Sequence, residues 1–275
     1  MVATPIGNLA DVSLRALALL QRADRVAAED TRVAQRLLDA YGLPRPALLR
    51  CDRHREAQAA QQVVAAVAAG ERVAFVSDAG SPGISDPGSR LAAAVRQAGL
   101  RVVPIPGASA VIATLSACGL DLESGYCFAG FAPATAAALG NFLQAALDAA
   151  RPTVFFEAPH RLQDCIELLH ALAPDCRLVV AKELSKQFEA VLDGTPQSAL
   201  DWLLADPRRL QGEFVLVLQP AAKAASTVDA RAAALLRRLT RELPASRAAA
   251  VAADLTGVPR DLLYRWLLDH KPATG

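Results

Sequence analysis

Aromatic residues are scarce in this 275-residue chain: two Trp, three Tyr and eight Phe, 5% of the sequence. So thin a supply of rings disfavours reading of free single strands of nucleic acid by serial stacking. Cysteine is present but lacks any framework. Cys51, Cys118, Cys127, Cys165 and Cys176 are odd in number and contain no C-x-x-C pair, and the four His lack metal-ligand spacing. Reduced thiols are expected, with neither a disulfide scaffold nor a metal site. No apolar run approaches the roughly 18 residues of a membrane span. No basic-then-apolar leader opens the chain, so a cytoplasmic, enzyme-sized protein is expected. Neither G-x-G-x-x-G nor G-x-x-x-x-G-K-[ST] occurs, which disfavours dinucleotide and P-loop triphosphate sites.

What is present is Ala, Leu and Val in quantity (53% hydrophobic) around one unusual stretch. Val73 to Val76 reads as a strand. Residues 77–88 then hold three Gly, two Pro, two Asp and three Ser, and helical periodicity resumes at Ser89 with Leu91 and Val95. A strand that runs through such a loop into a helix places the loop at the carboxyl end of a sheet, where open α/β folds bind ligands. The first 118 residues carry about five strand–helix alternations. Strands are expected at 2–5, 25–28, 47–51, 73–76 and 101–105, a pattern for a mostly parallel sheet with helices on both faces.

The second half differs. Strands at 126–129, 153–156, 178–183, 188–192 and 213–218, with fewer intervening helices, suggest a mixed sheet. Residues 220–226 read as a linker. Three helical patterns follow at 228–242, 246–255 and 260–269, the last two joined by Thr256-Gly-Val-Pro259 as in a helix-turn-helix. The fold class is therefore α/β, with domains expected at 1–118 and 119–220 and a small all-α domain at 227–275. Residues 226–275 carry eight basic and five acidic side chains against 21 and 23 in the rest. That asymmetry suits either a polyanionic partner or a solvated helical face.

Three loops at strand ends suit a ligand: Pro5–Asn8, Asp78–Ser85 and Pro106–Ala110. Glycine there lets backbone approach closely and proline fixes the turns. The bland alternative is ordinary turn punctuation. Thr4-Pro-Ile-Gly-Asn8, Ala28-Glu-Asp-Thr-Arg32, Val76-Ser-Asp-Ala-Gly-Ser-Pro82, Pro106-Gly-Ala-Ser-Ala110, Gly130-Phe131 and Phe156-Glu157 together resemble the tetrapyrrole-methylase-like (class III) S-adenosylmethionine-dependent methyltransferases. Within that family they resemble the branch that methylates ribosomal RNA. The resemblance covers residues 2–220, and the C-terminal helices are similar to that branch's helix-turn-helix-like domain.

The resemblance implies two α/β domains with an S-adenosylmethionine cleft between them, in a homodimer. It implies a substrate too: the ribose 2′-hydroxyl of a cytidine in the decoding region of 16S rRNA, in the small ribosomal subunit. It implies cofactor contacts at Pro5, Asp78, Gly80, Ser81, Pro82, Ser85, Ser109 and Ala110. Glu157 and Leu184 stand where many relatives have Met and Gly. Relatives also carry more residues ahead of Thr4, so the first strand is expected to be very short or the start cut back. Methyl transfer to an alcohol needs positioning and a base. Asp30 matches a proton-acceptor position, its alternative role being a helix cap. Arg32 is a phosphate-contact candidate or a surface side chain, and His54 and Glu56 lie where relatives have substrate-side polar residues, His54 by itself reading as a loop histidine. Lys182 and Glu183 form a cleft pair or a structural one. Arg45, Arg50, Arg53 and Arg55 cluster as a phosphate-contacting surface. Two alternatives stay open: a tetrapyrrole methylase, and a non-catalytic RNA-binding assembly protein.

Overall fold

The structure, a computed structural model, describes residues 1–123, 125–149, 151–219 and 228–270. The chain divides into two units, Met1–Pro220 and Ala221–Gly275. Among the described residues no helix is long and apolar enough to cross a membrane.

The first sheet is parallel. Strand β1 (Arg25–Ala28) lies between β2 (Ala47–Arg50) and β3 (Val73–Val76). Successive side chains of β1 bury on opposite faces, so both faces need cover. Val26 and Ala28 pack with Ala16 and Leu20 of α1 (Leu14–Arg22) and Ala34 and Leu38 of α2 (Thr31–Ala40). Ala27 and Phe75 pack on the other side with α3 (Glu56–Ala68) and α4 (Ser89–Gln97). Ser13 Oγ accepts from the backbone N–H of Ala16 and starts α1, leaving Asp11 in a preceding 3₁₀ turn.

Two expected strands shrink to bridges. Val2 bridges Val76 and Ile105, and Thr4 bridges Gly80. Residues 101–105 pair only through Ile105, whose N–H donates to the Met1 carbonyl at 2.8 Å. The reason is local: Pro104 and Pro106 flank Ile105 and have no N–H to extend the ladder.

The second sheet is mixed, in the order β4 (Cys127–Phe131), β5 (Thr153–Glu157), β8 (Phe214–Gln219), β6 (Arg177–Lys182), β7 (Ala190–Gly194). Only β4 and β5 run parallel. Strand β7 starts two residues later than expected because residues 183–189 close a tight turn, with the Glu189 N–H donating to the Lys186 carbonyl. One face carries α6 (Ala136–Asp148), α7 (Pro159–Leu172) and α8 (Pro196–Leu204) over Phe155, Leu178 and Leu216. The other face is covered by α5 (Ala110–Ala117), whose Val111, Leu115 and Cys118 pack on Val154, Val179 and Val217. Helix α5 follows the last bridge of the first sheet yet covers the second, and so ties the two sheets together.

The unit Ala221–Gly275 packs α9 (Ala230–Leu239), α10 (Ala245–Thr256) and α11 (Arg260–Asp269) around Leu236, Ala249, Ala252 and Leu263. Gly257 ends α10 in the left-handed conformation that C-terminal caps favour. The linker expected over 220–226 lies outside the described residues. All five cysteines are free thiols. Burial pushes Cys51 and Cys165 up to about 12, so both stay protonated and unreactive at neutral pH.

Gly88 sits at φ +124°, and a Cβ there would lie 2.6 Å from the buried Phe75 ring. Gly88→Ala is expected to lower the free energy of unfolding by about 2–3 kcal/mol, measured by urea denaturation.

Candidate active site

The loop from Ser77 to Gly88 is held at both ends. At its start, Thr4 and Gly80 exchange backbone hydrogen bonds of 2.9 and 3.1 Å. At its end, the carboxylate of Glu56, a residue only 6% exposed, reaches across from α3. Its Oε1 accepts from the N–H groups of Gly88, Arg90 and Leu91 at 2.9, 3.0 and 3.3 Å. Gly88 has no side chain to cap α4, so an acid from another helix supplies the acceptor that an N-terminus requires. Between the two ends, Ser81 Oγ donates to the Ala108 carbonyl and the Arg53 guanidinium donates to the Ser85 carbonyl. Ser85 is held at φ +64°, a strained conformation for a residue with a side chain.

This loop forms one wall of a cavity of about 340 Å³. Ile6, Gly80, Ser81, Ser85 and Asp86 line it from the first sheet, with Ser109 and Ala110 at the N-terminus of α5. Phe131, Phe156, Glu157, Leu184 and residues 212–215 line it from the second. Glu157 ends β5 with its side chain fully buried. Its Oε1 pairs with Arg161 at 2.6 Å and accepts from the Ala158 N–H at 2.7 Å. Its Oε2 has no partner among the described residues, a buried polar atom on a residue of the cavity wall. Leu184 lies between Glu183 (φ +49°) and Ser185 (φ +62°), a strained turn clamped by Lys186, whose Nζ reaches Glu183 at 2.8 Å and Glu213 at 2.9 Å.

Seven expected residues meet on this cavity: Gly80, Ser81, Ser85, Ser109, Ala110, Glu157 and Leu184. Six others stand off its lining, each for a local reason. Ile6 takes the place expected for Pro5. Pro82 immediately precedes the turn that Ser89 Oγ closes by donating to the Gly83 carbonyl. Asp78 accepts from the Asp30 N–H at 3.0 Å. Asp30 is the N-cap of α2: its carboxylate accepts from the Arg32 N–H at 2.8 Å and pairs with the Arg32 guanidinium at 2.6 Å. That guanidinium holds the Asp30 carboxyl well below the usual carboxylate range, and it occupies Arg32 as well. His54 is exposed in a turn where its backbone N–H donates to Asp52. The basic cluster is partly neutralised, Arg45 pairing with Asp39 and Arg50 with Asp52. Glu183 pairs with Lys186 instead of Lys182, which lies 5.9 Å from the centre of the Phe214 ring.

Two features escape a reading of local motifs. Asp86 lines the cavity beside Glu29 and Asp78, and burial, reinforced by Asp78, pushes its carboxyl up against the opposing pull of Arg53. Burial raises Glu29 in the same way, with Asp78 and Asp86 adding to it. Phe131 was legible as half of a Gly-Phe pair, but nothing in the pair shows that its ring is 57% exposed.

A family model described as Tetrapyrrole (Corrin/Porphyrin) Methylases matches residues 1–200, and one described as RsmI C-terminal HTH domain matches residues 221–271. Ribosomal RNA small subunit methyltransferase I of Neisseria meningitidis serogroup B (strain ATCC BAA-335 / MC58) is 44% identical over 272 residues, 98% of this chain and 93% of that protein. The protein of the same name from Escherichia coli O157:H7 is 40% identical, covering 98% and 94%. In three dimensions the chain is similar to the methyltransferase CobJ (TM-score 0.58, 21% identity, 78% and 91% covered). It is also similar to a diphthine synthase (TM-score 0.59, 16% identity, 79% and 88% covered). At those identities the structural likeness speaks to the fold alone.

Removing the Glu56 carboxylate leaves three N–H groups at the start of α4 without an acceptor. Glu56→Ala is expected to cost about 2–4 kcal/mol of unfolding free energy and Glu56→Gln about 1 kcal/mol, read by chemical denaturation.

Proposed function

The chain belongs to the tetrapyrrole (corrin/porphyrin) methylase family, and on that premise we propose that it is an S-adenosylmethionine-dependent methyltransferase of small-subunit ribosomal RNA. The acceptor in this reading is the ribose 2′-hydroxyl of a cytidine in the decoding region of 16S rRNA. The observation that carries the reading is the cavity itself. It joins the loop at Gly80–Ser81 and the N-terminus of α5 to a buried, unpartnered carboxylate oxygen on Glu157.

These residues fit the cofactor. A cavity of about 340 Å³ is of ligand size. The N-terminus of α5 suits the carboxylate of the methionine moiety. The free Glu157 Oε2 suits a donor such as an amino group or a ribose hydroxyl. Gly80, Ser81, Ser109, Ala110, Glu157 and Leu184 would hold the cofactor, which supplies an electrophilic methyl group on a sulfonium. The protein's share is to align that methyl group with the hydroxyl oxygen and to accept the proton the oxygen loses.

Proton acceptance is assigned to Asp86 in preference to Asp30. Asp86 borders the cavity, and its raised carboxyl is a stronger base than an ordinary aspartate. Asp30 would first have to leave its helix cap and Arg32. The sign follows directly. Asp86 accepts a proton only when ionised, so turnover falls as pH drops through its carboxyl, above the ordinary aspartate range. A cytoplasmic homodimer that needs no metal completes the proposal. The exposed apolar side chains Leu14 and Ile112, 85% and 53% accessible, support the dimer.

Labelled-methyl transfer to small subunits lacking the modification tests the function, with a tetrapyrrole precursor as the control acceptor. Transfer to the subunits alone is expected. Asp86→Asn should lower kcat by about 10²–10⁴-fold and abolish the acid limb of the pH profile while cofactor affinity holds. Loss confined to Asp30→Asn would return the role to Asp30.

A further inference from the structure

Strand β4 contains an irregularity with a consequence for the substrate. Phe128 pairs with Val154 and Phe131 with Phe156, so three steps along β4 match two along β5. The extra residue is a bulge at Ala129–Gly130, with Gly130 at φ +73°. In a regular strand, residues three apart point to opposite faces. Here both rings meet Phe156 edge-on, each with its centroid 5.2 Å away. The bulge has re-aimed Phe131, as bulges beside active sites do. It also sits directly over the cofactor loop, since a Cβ on Gly130 would lie 3.4 Å from Ser85 Oγ.

The re-aimed ring does not bury. Phe131 lines the cavity yet is 57% exposed, and across the same mouth Ile84 is 47% exposed. Arg53, tied to the Ser85 carbonyl at 2.6 Å, sets an exposed cation beside this apolar rim. An oriented, half-open aromatic face with a cation next to it matches a nucleotide, whose base stacks while its phosphate pairs.

We infer that Phe131 is a substrate-specificity residue: its free face stacks the unpaired base of the target nucleotide and so presents that nucleotide's ribose to the cavity. The inference rests on the function proposed above. RNA enzymes reach a ribose or base by taking an unstacked nucleotide out of its strand, and the lost stacking is replaced by an aromatic side chain. The half-exposed Phe131 does this without the long row of aromatics that the chain lacks. The buried acceptor on Glu157 leaves the cofactor the inner part of the cavity and the rim to the RNA.

The test uses the full chain with small subunits lacking the modification. Phe131→Ala and Phe131→Leu should lower kcat/KM for the subunits by about ten- to hundredfold, chiefly through KM, and Phe131→Trp should stay within about threefold of wild type. Cofactor affinity by calorimetry should change by less than about twofold in all three, which also shows that the variants fold. Wild-type behaviour of Phe131→Leu would overturn the inference, because apolar contact would then suffice without a ring. A fall in cofactor affinity that matches the fall in turnover would overturn it too, assigning the ring to the cofactor. Absence of transfer by the wild-type enzyme would sink the inference together with the function beneath it. Normal wild-type transfer with an unaffected Phe131→Ala would sink the inference alone.

Discussion

A single buried carboxylate fixes the geometry on which the site depends. Glu56 caps a helix that is not its own, and three N–H groups at the start of α4 converge on one of its oxygens. The loop before α4 is rich in Gly and Pro and has little side-chain packing to hold it. Its conformation is therefore set by hydrogen bonds, from the Thr4–Gly80 backbone pair and Glu56 at its ends and from Ser81 and Arg53 between them. Tethered in this way, the loop can keep Ser85 in a strained conformation and Asp86 against the cavity. Strain of that kind persists only where the surroundings over-determine it.

The second constraint is topological. Helix α5 leaves the first sheet at Ser109 and packs its apolar face on the second. Its N-terminus is therefore delivered to the seam between the sheets, where Ser109, Ala110 and Val111 line a cavity that both sheets share. Burial of Val111, Leu115 and Cys118 secures this placement, so the packing of one short helix joins the halves and also brings its N-terminus to the cavity. The opposite wall is shaped by the bulge in β4 and the strained turn around Leu184. Polar and irregular backbone is thus concentrated around the cavity, with regular structure behind it.

Much of this was legible in the residue order, for identifiable reasons. Helices α2 to α4 and the C-terminal three announce themselves by apolar spacing and by Asp, Ser or Gly at their ends, all local signals. The central strands read clearly because they are buried on both faces. The strand expected over 101–105 read less well: its β-branched residues fit, but Pro104 and Pro106 flank Ile105 and interrupt the ladder, leaving a single bridge there. Among the site residues, those on motif loops were found through resemblance to a known family, and seven of them converge. Asp30 illustrates the limit. The same Glu-Asp-Thr-Arg segment reads as a base or as a cap, and only the structure shows that Asp30 caps α2 and pairs with the Arg32 guanidinium.

The residue order alone determined the family, the alternation of strands and helices, and the loops expected to hold a ligand, because those depend on neighbours a few positions apart. Tertiary structure alone decided which carboxylates share a buried environment, which acid caps α4, and which aromatic ring is left open to solvent. Glu56 and Gly88, Glu29 and Asp86, and Gly130 and Ser85 lie 32 to 57 positions apart in sequence and meet only through packing. Charge, desolvation and exposure belong to such meetings, since each depends on what surrounds a group in space and not on what adjoins it in the chain.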